Sequence, residues 1–152
     1  SCGDLLRAEM TKLGMPIDRP SVREFVTEKR KQLGAHYPVD IAAQFFKDKT
    51  VITGFRNRAE VNYLKERYTT DFILIGVEAP LKVRYERALG RNREGDNISF
   101  EDFQKHEEAE RNAHPESHEL DNVLAEADIS IENDGSQEDL YTKIENILLT
   151  LQ

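Results

Sequence analysis

Apolar side chains recur at helical spacing early in the chain, at Leu5, Leu6, Met10 and Leu13, and Gly14 stops the run. The spacing predicts a helix over 4–13. Met15 to Pro20 is a turn-rich link. Ser21 with Glu24 makes a capping-box pattern that opens a second helix, and Gly34 closes it. A third, short helix is expected near 40–46. Thr50 to Gly54 is too short for a helix and uninterrupted by charge, so it reads as a strand inside a sheet. Asn57 and Glu60 form another capping pair, starting a helix through Val61, Leu64 and Tyr68. Phe72 to Val77 is the strongest strand pattern in the chain. Pro80 starts a helix that runs toward a cluster of arginines, and Ser99 with Asp102 opens the next. Ala127 to Ile131 alternates and ends at Asn133-Asp134-Gly135, a strand followed by a turn. Ser136 and Asp139 cap a last helix that carries Leu140, Ile144, Ile147 and Leu148 on one face. Strands alternating with helices predict one three-layer α/β/α domain over 1–152 with a mostly parallel sheet.

Composition sharpens this picture in two ways. With 152 residues the chain is long enough to bury a real core. Its net charge of −8 argues against a general nucleic-acid binder, which normally shows a basic face. The charge is unevenly spread: Arg84, Arg87, Arg91 and Arg93 crowd one stretch, and acidic residues dominate 107–126. An arginine cluster on an acidic protein favours a small anionic ligand; the plainer alternative is a set of solvated helix faces. No apolar run approaches the length needed to span a bilayer, and no secretory leader is visible, so a cytoplasmic setting is expected. A single cysteine excludes an internal disulfide and fits a reducing compartment.

The candidate chemistry lies in arginines at element ends. Ser1-Cys2-Gly3-Asp4-Leu5-Leu6-Arg7 reads as a strand end, a tight turn and a helix that carries Arg7 one turn in. Val51 to Arg56 delivers a second arginine at a strand end. Guanidinium groups offer a fixed fork of donors, which suits a phosphate monoester. A cradle for a triphosphate needs a glycine loop followed by Lys and Ser or Thr, and no Gly-Lys pair occurs in the chain. His114 and His118 have a spacing that suits zinc on a helix. Pro115 between them and the lack of a third ligand argue against it. Cys2 at a helix start is either a reactive thiol or a packed small residue. Tyr85, beside the arginines, is a candidate for contact with a base.

These motifs resemble the P-loop nucleoside monophosphate kinases. Ser1 to Arg7 resembles the monophosphate-binding segment of adenylate kinases, Ser-Thr-Gly-Asp followed by two hydrophobic residues and Arg. Val51 to Arg56 resembles the following strand, where an Asp-Gly-Phe turn leads to another phosphate-binding arginine. Arg87 to Arg91 resembles the start of the mobile lid. Ala127 to Ser136 resembles the last strand and turn of dephospho-CoA-kinase-like proteins. The resemblance spans nearly the whole chain, with a lid-like insertion at 87–111.

The resemblance implies phosphoryl transfer from ATP, with Mg2+, to a nucleoside monophosphate or nucleotide-like acceptor. It implies that Cys2, Arg7 and Arg56 bind the acceptor, with Arg58 as the competitor of Arg56. It implies that Arg87, Arg91 and Arg93 close over the donor phosphates, with Arg111 completing the clamp. It also implies a strand and phosphate loop, absent from this chain, in the middle of the sheet between the strands matched by 51–53 and 72–76. That segment is expected upstream of Ser1 or in trans from another chain, possible also as a homo-oligomer, unless the strands pair in another order. The departures are Cys2 where adenylate kinases have Thr, and Thr53 where they have an Asp that supports magnesium. A non-catalytic nucleotide-binding or protein-interaction module on the same fold is the alternative.

Overall fold

A computed structural model describes residues 1–91, 97–111 and 119–151. Its elements run α1 (Cys2–Lys12), α2 (Arg19–Leu33), α3 (Tyr37–Ala43), α4 (Arg58–Tyr68), a 3-10 turn (Thr69–Asp71), β1 (Ile75–Glu78), α5 (Leu81–Arg91), α6 (Phe100–Arg111), α7 (Leu120–Ala125), β2 (Ile129–Glu132) and α8 (Gln137–Thr150). The class is α/β. The strands β1 and β2 pair in parallel, Ile75 opposite Ile129 and Glu78 opposite Glu132. Among the described residues these two strands are the whole sheet, one strand fewer than the sequence predicts.

The third expected strand, 50–54, is extended chain with no ladder partner, and Val51 is 89% exposed. One backbone bond ties it down, from the Cys2 N–H to the Thr53 carbonyl at 3.0 Å. An uncharged run reports only that a segment suits a sheet; it does not report a neighbour to pair with. β1 also begins later than its apolar run, because Phe72 and Leu74 turn inward to pack with Phe55, Val61 and Val123. Asp128 fixes that start: its carboxylate accepts from the Leu74 N–H at 2.8 Å, and its own N–H donates to the Leu74 carbonyl at 2.9 Å. Gly76 is needed because a Cβ there would stand 3.0 Å from the Ala127 Cβ, where the end of α7 crosses the strand.

Helices α1 to α4 make the dense half. Leu6, Met10, Phe25, Val26 and Tyr37 form one buried cluster and Cys2, Val39, Ala42 and Leu64 another. Both capping pairs around Asn57–Glu60 and Ser136–Asp139 form reciprocally. The cap of α2 is a correction: Asp18, not Ser21, holds it, accepting from the Ser21 N–H at 3.0 Å and the Ser21 hydroxyl at 2.8 Å. Pro20 suits the first turn, whose N–H groups have no helical partner, so the helix starts before the pattern that Ser21 and Glu24 suggest. The last helix buries none of its side chains fully, and Leu148 and Leu149 face solvent. Among the described residues no helix is long and apolar enough to cross a membrane.

Candidate functional site: an arginine-lined cleft

The contact between residue 53 and the start of α1 builds the site. Gly54 adopts φ +98°, a left-handed backbone that favours glycine, and its missing side chain lets the Gly3 N–H lie close by. The chain then turns so that Arg7 and Arg56, from separate segments, line one cleft of about 840 Å³ together with Ser1, Gly3 and Asp4. Arg7 Nη1 donates to the Gly3 carbonyl at 3.2 Å and lies 3.9 Å from an Asp4 carboxylate oxygen. Arg56 Nη1 donates to the Phe55 carbonyl at 2.9 Å.

Glu60 anchors this wall. It is almost wholly buried, and one oxygen accepts from Arg30 Nη2 at 2.5 Å. The other accepts from the backbone N–H of Arg56 at 2.8 Å and of Asn57 at 3.3 Å. A single carboxylate therefore caps α4, fixes the backbone of the Arg56 turn and neutralises a buried arginine of α2. Burying both ions is costly unless the pair is well bonded, and here the carboxylate accepts from three donors.

The opposite wall comes from α5 and α6. Arg84, Arg87 and Arg91 of α5 line the cleft together with Phe103 and Glu107 of α6. Arg84 pairs with Glu107, not with exposed neighbours on its own helix. Arg87 donates to the carbonyls of Asn133 at 2.8 Å and Gly135 at 2.7 Å, which ties α5 to the turn after β2. Tyr85 is a correction as a base contact. Its hydroxyl donates to the Ile98 carbonyl at 3.0 Å, and its ring packs edge-on against Phe100, joining α5 to the start of α6.

Of the sequence-predicted site residues, Arg7, Arg56, Arg87 and Arg91 come together at this cleft. Three others do not. Cys2 is buried against Val39, Ala42 and Leu64, and burial, reinforced by the Glu60 charge, pushes its thiol up to about 11. This placement favours the packing reading of Cys2 over the reactive thiol. Arg58, at the exposed start of α4, pairs with Glu126 at 2.5 Å and is not in the cleft lining. Arg111 bridges Asp121 at 2.7 Å and Glu78 at 3.3 Å, so it joins α6 to α7 and β1 and is not in the cleft lining. Arg93, His114 and His118 lie outside the described residues.

Four cleft arginines were not selected from the sequence as site residues: Arg19, Arg23, Arg30 and Arg84. A signal was present for three. Arg19, Val22, Arg23, Val26 and Arg30 fall at helical spacing on one face of α2. Among the described lining residues, eight arginines stand against the carboxylates of Asp4, Glu60 and Glu107, a formal +5 on a chain of net −8. A concave, partly apolar site with that charge concentrates small anions. No group of three or more metal-ligating side chains occurs among the described residues. All three lining carboxylates stand beside arginines; Asp4, 3.9 Å from Arg7 with its side chain 64% exposed, is the most open of them.

No family model matches the chain. Individual relatives do. A UPF0200 protein of Staphylothermus marinus is 35% identical over 152 residues, covering 98% of this chain and 77% of that protein. A UPF0200 protein of Methanococcus maripaludis is 30% identical over 96% of this chain and 79% of its own length. A UPF0200/UPF0201 protein of Archaeoglobus fulgidus is 34% identical over 98% of this chain, which spans about half, 46%, of that relative. Identity at this level over nearly the whole chain, with most of the Staphylothermus protein covered, makes the chain a member of the UPF0200 family.

Proposed function

We propose that this chain forms the acceptor-binding wall and the arginine lid of a P-loop nucleotide-kinase-like phosphotransferase, acting in the intact protein on a nucleoside monophosphate or nucleotide-like acceptor. The observation that carries it is the convergence of Arg7 and Arg56 on one cleft faced by Arg84 and Arg91. Transfer of a phosphoryl group asks a protein for positioning and charge neutralisation more than for covalent chemistry. Arg7 and Arg56 would grip the acceptor phosphate from two sides. Arg91 and Arg84 would face the charge that develops between donor and acceptor. Arg87, held on two carbonyls, would keep the lid helix in register with the turn after β2.

ATP would supply the transferred group, and Mg2+ would neutralise its oxygens. Magnesium in such sites is held by one or two carboxylates plus substrate phosphates, and Asp4 fits the protein's share. The donor cradle is expected on a strand between the extended 51–54 segment and β1. Three observations support that place. Val51 is exposed, half of Val77 on β1 is exposed, and the bases of the two segments meet where Phe55 packs edge-on against Phe72 at 6.2 Å.

A second reading, a nucleotide-binding module without transfer, is favoured by one observation. The expected lid arginines Arg87 and Arg111 are engaged by protein groups. One experiment separates the two. The full-length protein is incubated with ATP, Mg2+ and a panel of nucleoside monophosphates, nucleosides and dephospho-CoA while ADP is followed. Turnover that falls at least about tenfold on Arg7→Ala supports the transferase, since a hydrogen bond to a charged group is worth about 1.5–3 kcal/mol. Binding of a nucleotide without turnover selects the module. Neither binding nor turnover removes both.

A further inference from the structure

The cleft holds more guanidinium groups than one acceptor phosphate and a lid require, and the surplus is arranged along α2. Five residues of that helix line the cleft: Arg19, Val22, Arg23, Val26 and Arg30. Their burial is graded. Arg30 is 6% exposed and locked to Glu60, the same carboxylate that fixes the Arg56 backbone, so this end of the face is the deep end. Val22 and Val26 follow as an apolar stretch. Arg19 and Arg23, both only partly buried, stand at the far end. With a rise of 1.5 Å per residue, Arg23 lies roughly 10 Å along the helix from Arg30.

The far pair is also where the cleft continues. A side groove of about 300 Å³ opens from it, and Arg19 and Arg23 line both spaces. The acidic residues of α2 in this region, Glu24 and Glu28, face the side groove and not the cleft. Among the described residues the Arg23 side chain makes no ion pair, in contrast to Arg30 and Arg84, each held by a carboxylate. A site built this way has an anion grip at its deep end, an apolar middle and a second anion grip at its mouth.

We propose that Arg19 and Arg23 form a second anion subsite of the cleft, and that the acceptor is a nucleotide carrying two separated phosphate groups. One phosphate lies at Arg7 and Arg56, the sugar and base lie against Val22 and Val26, and the second phosphate lies across Arg19 and Arg23. This deepens the proposed function and rests on it, since it takes the first phosphate to be the one held by Arg7 and Arg56. Two guanidiniums spaced i and i+4 present their forks on one side of a helix, which suits a tetrahedral dianion better than a single carboxylate.

The test compares 5′-monophosphates of the four common ribonucleosides with the matching 3′,5′-bisphosphates, by calorimetric titration of the full-length protein at fixed ionic strength. For at least one base the bisphosphate is expected to bind at least about tenfold more tightly than its monophosphate, a difference of 1.4 kcal/mol. In the double variant Arg19→Gln, Arg23→Gln that ratio is expected to fall to about 1. Because the quantity read is a ratio within one protein, partial loss of fold does not imitate it, and a thermal melt of the double variant checks the fold independently. A ratio near 1 in the unaltered protein, or a ratio that survives the double substitution, overturns the second subsite. Monophosphate binding that depends on Arg7 with no bisphosphate advantage would remove this inference and leave the proposed function standing. Binding of neither class would remove both.

Discussion

The two walls of the cleft each carry an arginine held by a glutamate, and the two pairs are built differently. The side chains of Arg30 and Glu60 are 4% and 1% exposed, and Glu60 also caps α4 and holds the Arg56 backbone. Arg84 and Glu107 are 25% and 16% exposed and join only α5 to α6. The first pair is part of the core that sets where Arg56 points. The second belongs to a wall that Arg87 ties to the turn after β2 and Arg111 ties to α7 and β1. Under the proposed function the first wall is the fixed surface that holds the acceptor and the second is the part that moves over it.

The sharpest way to break this comparison is to remove the two glutamates in turn. Glu60→Ala leaves Arg30 buried without its counter-charge and uncaps α4, and is expected to cost about 3–5 kcal/mol in urea unfolding. Glu107→Ala is expected to cost on the order of 1 kcal/mol, since Arg84 can reach water. Equal costs would contradict the contrast between the walls.

A second test uses Cys2, which sits in the dense wall. Its thiol is raised on folding from the ordinary 9.0 to about 11, mainly by burial. The sign follows: the neutral thiol is favoured in the fold, so its contribution is present below the unfolded value and lost as pH rises through about 11. Two units mean about a hundredfold less thiolate at neutral pH. Alkylation at pH 8 is expected to be slower than in the urea-unfolded chain by at least that factor. Reaction at the unfolded rate would mean that this wall opens freely.

On the lid side, Arg87→Ala removes two bonds to carbonyls at the turn after β2. Amide exchange in α5 is expected to quicken by roughly five- to tenfold, about 1 kcal/mol, with α1 to α4 unchanged. Faster exchange spread evenly over both halves would argue that the lid is not separately attached.

The smallest effect is at acid pH. Asp139 is held below the usual carboxylate range by the Ser136 hydroxyl and then its N–H, Asp102 by the Ser99 hydroxyl and then Lys105, and Asp18 by the Ser21 N–H and then its hydroxyl. Their contribution is present above the unfolded value of about 3.9 and lost as pH falls through the lower folded values. Helical ellipticity is expected to hold at pH 5 and to decline below pH 4, with the ends of α8 and α6 exchanging first. Loss already between pH 6 and 5 would point to a different titrating group.

How far the chain could be read follows from what each signal reports. Capping pairs are local, and Asn57–Glu60 and Ser136–Asp139 form as their spacing predicts. The Ser21–Glu24 pair failed because Asp18 and Pro20 offer an earlier start. The apolar run at 50–54 shows sheet-forming character but not the presence of a partner strand, so its pairing was not legible. Helix α7 was not told apart from the acidic stretch before it, because six residues carrying Leu120, Val123 and Leu124 are too few to show a period of their own. At the site, Arg7 and Arg56 were visible because each follows a glycine turn closely, Arg7 one helical turn after Gly3 and Arg56 two residues after Gly54. Arg30 and Glu60 were not, because a buried ion pair joins residues thirty apart and leaves no local pattern.

The central claim is that Arg7 and Arg56 grip one and the same phosphate. A double-mutant cycle of Arg7→Gln and Arg56→Gln, read as nucleoside monophosphate affinity of the full-length protein by calorimetry, tests it directly. Each single change is expected to weaken binding about ten- to a hundredfold, and the two losses are expected to be coupled by at least about 0.5 kcal/mol. Strictly additive losses, or no loss in either variant, would contradict the shared grip.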